Sequence, residues 1–170
     1  IVQFVKKVML GTFLVEGIGA ILYMTVFVPD FGLRGIWISV FTAISAFCNA
    51  GFDIMGVFDP GTSIMRYNTD YVVCLTLMAL VVLGGLGFFV WEEVARVRNF
   101  RRLSVYSKLV LIISGALLAF GMAAFAVLEW DNPGTLGGMS WHHKLLNAAF
   151  QSVTVRTAGF ISVDQGALTD

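Results

Sequence analysis

Three long apolar runs constrain this sequence more than any other feature. They cover residues 8–28, 71–91 and 109–129, and about 20 residues at about 1.5 Å rise per residue cross a hydrocarbon core of about 30 Å. Composition agrees, because 58% of the 170 residues are hydrophobic and only 13% are charged, against about 25% charged in soluble domains. The sequence therefore predicts an all-α membrane protein. The zero net charge excludes a basic field for nucleic acid.

Two shorter apolar runs, at residues 36–48 and 144–155, follow the first and third spans. As helices they reach about 20 Å, which is enough to enter a membrane but not to cross it. Each leads into the tripeptide Ala-Gly-Phe, at residues 50–52 and 158–160, an offset of 108 residues. At an offset of 104, a pattern of Gly, Leu and Ala in the first span recurs in the third. The sequence therefore predicts a parallel internal repeat.

The repeat divides the chain into a complete unit at residues 1–103 and an incomplete unit at residues 104–170, which stops before its closing span. The distribution of Lys and Arg predicts that the amino-terminal end is cytoplasmic. The inner set then holds seven of the eleven basic residues: Lys6, Lys7, Arg96, Arg98, Arg101, Arg102 and Lys108. The outer basic residues are Arg34, Arg66, Lys144 and Arg156.

The outer segments hold most of the acids: Asp30, Asp53, Asp59, Asp70, Glu129, Asp131, Asp164 and Asp170. A cation approaching from outside would meet this acidic side first. The alternative is that these carboxylates are ordinary solvated loop charges.

A chain that turns back inside a membrane must be buried in protein or line a watery cavity. A short helix that ends there leaves carbonyls free, and such carbonyls can replace the water shell of a cation. Glycine suits the turn because it adopts positive φ at low cost. We therefore expect filter loops at residues 48–52 and 156–160, with side chains directed away from the axis. The expected ligands are the backbone carbonyls of Cys48, Asn49, Ala50, Gly51, Arg156, Thr157, Ala158 and Gly159.

Four stretches resemble one family: FTAISAFCNAGFD, FQSVTVRTAGF, LGGLGF and DNPGTLG. Along nearly the whole chain and in the same order, they are similar to the Trk/Ktr/HKT superfamily of potassium transporters, and most closely to the Ktr-type membrane subunit. The resemblance implies repeated membrane helix–pore half-helix–membrane helix units of potassium-channel type around a pseudo-fourfold pore. This chain would be the second unit and most of the third, a piece of a longer protein.

The resemblance also implies a function and partners. The chain would be the pore-forming part of a potassium uptake system, with passive permeation through the carbonyl filter. K⁺ would be the transported ion, held only at the filter residues, and no organic cofactor is expected. The implied partners are the remaining repeats, a cytosolic nucleotide-binding regulatory ring, a second copy in a homodimer, and membrane lipid. The expected location is the plasma membrane, crossed several times, with the filter loops facing outside.

Four positions depart from the family pattern: Cys48, Asp53, Val155 and Ile161. None of them replaces a filter glycine, so the expected ion preference is unchanged, whereas flux and affinity depend on these positions. The inner basic cluster at residues 96–102 is a candidate docking site for either the ring or lipid headgroups.

Two charged residues lie at unusual positions. A guanidinium facing the pore would repel a cation, so Arg156 is expected to point behind the filter, support it, and pair with Asp164 or Glu129. Glu16, in the middle of the first span, is either a functional carboxylate or a hydrogen-bonded strut.

Several other functions are open to a chain of this composition. A sodium-conducting member of the same family would carry serine in place of a filter glycine. A secondary transporter with broken helices would show inverted repeats, and a non-transporting scaffold would leave the glycines without a role. The adjacent His142 and His143 have no third ligand at metal-site spacing, so zinc is not predicted. No nucleophile, base and orienting group occur together, so the chain is not expected to be an enzyme.

Overall fold

The computed structural model describes residues 2–57 and 63–169. Asp59 and Asp170, two of the outer acids, lie outside the described residues. Over these ranges the chain is helical and contains no strand, with the helices α1 Val2–Phe31, α2 Leu33–Phe47, α3 Tyr71–Leu86, α4 Phe88–Val97, α5 Val105–Glu129 and α6 Trp141–Thr157. Short 3₁₀ turns occupy Met55–Val57, Ser63–Tyr67, Phe100–Arg102 and Gln165–Ala167. Helices α1 and α5 are long and apolar enough to cross a membrane, which confirms the predicted all-α membrane class.

Helices α1 and α2 form a tight hairpin. The reversal occurs at Gly32, whose φ of 61° favours glycine, and whose N–H donates to the Val28 carbonyl at 2.8 Å. A Cβ on Gly35 would overlap the Phe27 carbonyl, so glycine allows α2 to lie directly against α1. As a result, α2 returns alongside the helix that precedes it.

The predicted second span, residues 71–91, is not one straight helix. Helix α3 begins at an Asp70 cap, whose side chain accepts from the Val73 N–H at 3.1 Å, and it ends before Gly87. There φ is 82° and ψ is 148°, a combination that glycine adopts far more readily than other residues, and α4 leaves at 97° to α3. The two helices make a third span only if the bent pair is counted as one.

Helix α4 folds back onto the amino-terminal end of α1. The ring centroid of Phe4 lies 5.4 Å from that of Phe88 and 5.3 Å from that of Phe89. The indole of Trp91 covers Gly11, where a Cβ would lie 2.8 Å from its ring. Helix α4 therefore lies across the first three turns of α1.

Helices α5 and α6 form the second packed pair. The span predicted at residues 109–129 begins one turn earlier, and the short helix predicted at residues 144–155 extends at both ends. The Ser152 hydroxyl donates to the Leu118 carbonyl at 2.8 Å, and a Cβ on Gly121 would lie 2.5 Å from that hydroxyl oxygen. Few residues of α5 are fully buried, however, and in its most apolar window only 6% are.

The core lies around α3, which packs against α1, α2 and α6. Its buried residues are Val73, Cys74, Leu77, Leu80 and Val81. They meet a cluster formed by Tyr23, Phe27, Ile38, Ala43, Ala46 and Phe150. Through α3, the two helix pairs share one core, and this brings the ends of the two short helices together.

Candidate functional site

Both short helices end beside the middle of the long helix that precedes them. Cys48, which follows α2, places its Sγ 4.0 Å from Oε1 of Glu16, the midpoint of α1. In the second pair, Val155 and Arg156 share a cleft with Leu117 and Gly121 of α5. The predicted filter loops therefore begin at about half the length of α1 and α5.

The first loop reverses the chain through two left-handed residues. Asn49 has φ 51° and Gly51 has φ 69°, and the Ala50 N–H reaches back to the Ser45 carbonyl at 2.9 Å. The Ser45 hydroxyl then donates to the Phe52 carbonyl at 2.7 Å. This bond holds the chain that leaves the loop against α2, the helix that precedes the loop.

The second loop also has a glycine with positive φ and a hydroxyl bonded to the following phenylalanine carbonyl, but the bonded residues are six rather than seven positions apart. Gly159 has φ 78°, and the N–H groups of Ala158 and Gly159 both donate to the Thr154 carbonyl, at 2.9 and 3.1 Å. The buried Thr154 hydroxyl donates to the Phe160 carbonyl at 2.7 Å. Each loop is thus braced by a hydroxyl of its own helix bonded to the carbonyl of the phenylalanine after the glycine.

The two glycine loops touch each other. A Cβ on Gly51 would overlap the Ala158 carbonyl oxygen and lie 3.6 Å from the Gly159 Cα. Two tripeptides separated by 108 residues in sequence therefore meet in space. Glycine at 51 is required twice, because its φ is positive and because its neighbour leaves no room for a side chain.

Several backbone carbonyls of the loops accept no hydrogen bond from any residue that the structure describes. They belong to Cys48, Ala50, Gly51, Arg156, Ala158 and Gly159. Arg156 and Thr157, expected within the second loop, lie in the last turn of α6, where helix carbonyls have no intrahelical partner. Oxygen atoms of this kind can hold a desolvated cation.

The side chain of Asn49 ties the first loop to α3. With its amide oriented to satisfy both ends, its nitrogen donates to the Val81 carbonyl and its oxygen accepts from the Gly85 N–H, each at 3.1 Å. A Cβ on Gly84 would overlap the Phe47 carbonyl. The glycines of the LGGLGF stretch therefore allow α3 to contact the loop.

Arg156 does not form the predicted ion pair. Its side chain is half-buried and lines the apolar cleft between α5 and α6, and among the described residues it pairs with no carboxylate. Asp164 instead accepts from the Gly166 N–H at 2.9 Å, and Glu129 is occupied by other donors. The expected pairing with Asp164 or Glu129 is wrong: local donors occupy both oxygens of Glu129, and the exposed Asp164 caps the turn that follows it instead.

Glu129, at the end of α5, is the centre of a buried hydrogen-bond network. One carboxylate oxygen accepts from the Asn132 amide at 2.7 Å and from the Thr135 hydroxyl at 2.6 Å. The other accepts from the Thr169 N–H at 2.9 Å and from its hydroxyl. The carboxylate is 3% exposed and fastens the segment that follows the second loop to α5.

A second polar group holds the same segment from α6. Gln151, which is buried, donates to the Ser162 hydroxyl and accepts from the Gln165 amide, both at 3.1 Å. Sequence reasoning missed Gln151 and the two bracing hydroxyls. The available signal was a hydroxyl residue within two turns before each Ala-Gly-Phe.

The two remaining candidates are less informative. Glu16 is buried within α1, with the Cys48 thiol as its neighbour. The rings of His142 and His143 contact Tyr71 and the Ser140 hydroxyl. The described residues contain no group of three or more His, Cys, Asp or Glu that could hold a metal ion.

At the carboxyl-terminal end of α1, Tyr67 donates to the Asp30 carboxylate at 2.6 Å. Burial and this hydrogen bond raise the pKa of the Tyr67 phenol. The phenol therefore stays protonated at neutral pH and continues to join α1 to the chain that leads into α3.

Together, the fold and the site define a membrane protein in which two short helices end in touching glycine loops. The family model described as TrkH, cation transport protein, matches residues 1–170. The chain belongs to this family, which confirms the resemblance and places it among cation transport proteins rather than enzymes.

Curated relatives agree with the family. The potassium/sodium uptake protein NtpJ of Enterococcus hirae is 38% identical over 88% of this chain and 32% of its own length. The Ktr system potassium uptake protein B is 37% identical in Bacillus subtilis and 38% identical in Vibrio alginolyticus. Those matches cover 100% and 95% of this chain, and 37% and 35% of the relatives. The chain thus spans about a third of the length of the relatives it matches.

Proposed function

We propose that this chain forms part of the pore of a potassium uptake protein and that its two glycine loops are adjacent sectors of the selectivity filter. The observation that carries the proposal is the contact between Gly51 and the Ala158 carbonyl. Loops that touch at the ends of two half-length helices supply carbonyl oxygens to a common site, whereas one loop supplies only part of a ring. The ligands would be the backbone carbonyls of residues 48–51 and 156–159.

Electrostatics favours a cation at this place. Helices α2 and α6 both direct their carboxyl-terminal ends at the loops, and such an end carries a partial negative charge. The unpaired loop carbonyls add dipoles of the same sign. By family resemblance, permeation through the filter is passive.

Potassium is the proposed ion because several relatives are named as potassium uptake proteins and because both filter positions keep glycine. The rival is a sodium-conducting member of the family, since the name of one relative includes sodium. A secondary transporter of another class fits less well, because the two helix pairs run in the same order and deliver their loops to one point.

The assembly is also proposed. The other filter sectors would come from further repeats of the same protein, and the exposed apolar face of α5 fits a protein or lipid neighbour. By family resemblance, a cytosolic nucleotide-binding ring regulates the pore, and two copies form a homodimer. The plasma membrane, with the amino-terminal end inside and the filter loops facing outside, completes the proposal.

The test is Gly51→Ser in the intact transporter, expressed in a potassium-starved host. A side chain here must displace the Ala158 carbonyl and resist positive φ, at a cost on the order of 1–2 kcal/mol. A change of about 1.4 kcal/mol in relative ion free energy shifts selectivity tenfold. We expect sodium to compete more strongly with rubidium uptake, by several-fold, at normal protein abundance.

Gly32→Ser is the matched control. Gly32 also has a positive φ, and a Cβ there meets nothing within 4 Å, so the substitution strains the backbone without touching a loop. It should lower abundance without changing ion preference. If Gly51→Ser and Gly32→Ser leave sodium competition equally unaltered, Gly51 is not in the filter.

A further inference from the structure

Helix α4 and the turn after it form an exposed basic surface, residues 88–108, which we call the inner basic surface. The 97° bend at Gly87 directs α4 across the end of the α1–α3 layer rather than away from it. The Phe4 and Gly11 contacts place α4 at the level of the first three turns of α1. If α1 and α3 span the membrane, as the proposed function requires, α4 lies at the boundary between headgroups and acyl chains.

No guanidinium group of this surface forms an ion pair with a carboxylate of the described residues, although hydrogen bonds from Ser107 and Ser104, together with the nearby charge of Arg96, lower the pKa of the Glu93 carboxyl. Arg96, Arg98, Arg101 and Arg102 are all exposed. The nearby Glu93 carboxylate accepts from the Ser104 N–H and hydroxyl, both at 2.7 Å, and from the Ser107 hydroxyl. Apart from the attraction between Arg96 and Glu93, the four positive charges at residues 96–102 are therefore left for an external anion.

The backbone that carries these arginines is fixed. The Asn99 side chain accepts from the Arg101 N–H at 3.1 Å, and the Lys108 ammonium donates to the Arg101 carbonyl at 2.8 Å. With the Glu93 bonds, these contacts hold the turn between α4 and α5 in one conformation. The surface is thus preorganised, and a ligand does not have to order it.

Large apolar side chains are exposed on the same surface. Phe89 is 66% exposed and Phe100 is 51% exposed; Phe100 adjoins Arg101, and Phe89 lies on the same helix as Arg96. An aqueous partner protein could satisfy the charges, but α4 lies at the depth of α1, where its exposed rings meet acyl chains. Cations beside aromatic rings at this depth are the features by which an interfacial helix binds an anionic leaflet.

From the bend, the unpaired guanidiniums and the exposed rings we infer that the inner basic surface binds the phosphodiester headgroups of anionic phospholipids. Arg96, Arg101 and Arg102 are the main headgroup ligands. Phe89 and Phe100 insert beside the acyl chains. The position of α4, at the inner end of the bent α3–α4 pair, therefore depends on how much anionic lipid the leaflet contains.

The test uses the intact transporter in vesicles of phosphatidylcholine and phosphatidylglycerol at about 4:1, an anionic fraction at which basic residues contribute to binding. A trace of photoactivatable phosphatidylglycerol or photoactivatable phosphatidylcholine is added, and mass spectrometry maps the crosslinked peptides. We expect phosphatidylglycerol to label peptides from residues 88–108 at least about threefold more than phosphatidylcholine does.

Substitution of Arg96, Arg101 and Arg102 by Gln should abolish that preference. Their side chains hydrogen-bond to no described residue, so folding should be unchanged. The matched control, Arg34→Gln, removes an exposed charge from the other end of α1 and should leave the preference intact. Equal labelling by both lipids in the wild-type protein, or a preference that survives the triple substitution, would overturn the inference.

Two further experiments distinguish a lipid site from a site for soluble anions and from a protein-docking surface. Inorganic phosphate at millimolar concentration should not reduce labelling, because the ligand is anchored in the bilayer, and competition by free phosphate would instead indicate a soluble-anion site. Protection of residues 88–108 from both lipids in membranes that hold the native cytosolic partner would indicate a protein-docking surface and contradict the lipid assignment.

Discussion

At the scale of single residues, two hydroxyl groups keep the glycine loops in place. Ser45 donates to the carbonyl of Phe52, which follows Gly51, and Thr154 donates to that of Phe160, which follows Gly159. Without the hydroxyl, that carbonyl loses its partner and the outgoing strand can move away from its helix. Each lost hydrogen bond is expected to lower stability by about 1 kcal/mol. The loop is destabilised rather than the core.

We therefore predict that Ser45→Ala or Thr154→Val in the intact transporter increases sodium competition with rubidium uptake by several-fold, with little loss of protein. Ser39→Ala is the control, because Ser39 is also a buried hydroxyl of α2 but donates within the helix, to the Gly35 carbonyl at 2.7 Å. An identical effect of Ser39→Ala and Ser45→Ala on ion preference would show that the loop brace has no role in selection.

At the scale of the elements, the carboxyl-terminal end of α5 fixes the segment after the second loop through Glu129. Gln at this position would present an amide N–H₂ to groups that are themselves donors. Hydrogen bonds to a charged group contribute about 1.5–3 kcal/mol, so Glu129→Gln should increase amide exchange in residues 161–169 by roughly 10-fold or more.

Hydrogen exchange with mass spectrometry measures this effect, and Asp131→Asn is the matched control. Asp131 is an exposed acid two residues further along, and no hydrogen bond joins its side chain to a described residue. The Asn substitution should leave exchange unchanged. Slow exchange retained in Glu129→Gln would mean that Gln151 alone holds the segment.

The elements also show what a sequence reveals and what it does not. Lengths and hydropathy predicted that α1, α2 and α5 exist but not where they begin, because polar or small residues ahead of each apolar run also join the helix. The bend at Gly87 was not predicted, because the apolar run continues through it and hydropathy carries no information on φ. Helix α6 begins three residues earlier than predicted, because polar residues in its first turn interrupt the apolar pattern without interrupting the helix.

At the scale of the whole molecule, the Ala-Gly-Phe repeat predicted where the loops fall, and the family match confirmed the membership that the motifs indicated. The contact of Gly51 with Ala158, and the position of α3 behind Asn49, depend on packing between distant segments. The partner of Arg156 was predicted wrongly, because charge pairing was assumed and backbone donors were not counted. The positions of the loops can thus be read from a local sequence motif, whereas the contact between the loops depends on tertiary packing.

The contact between the loops makes one direct measurement decisive. Rubidium substitutes for potassium and can be located by its anomalous scattering in crystals of the intact transporter. We predict a rubidium peak on the axis beside Gly51 and Gly159, within coordination distance of carbonyl oxygens from both loops. Anomalous peaks found elsewhere in the protein, with none at these two glycines, would contradict a filter built from residues 48–51 and 156–159.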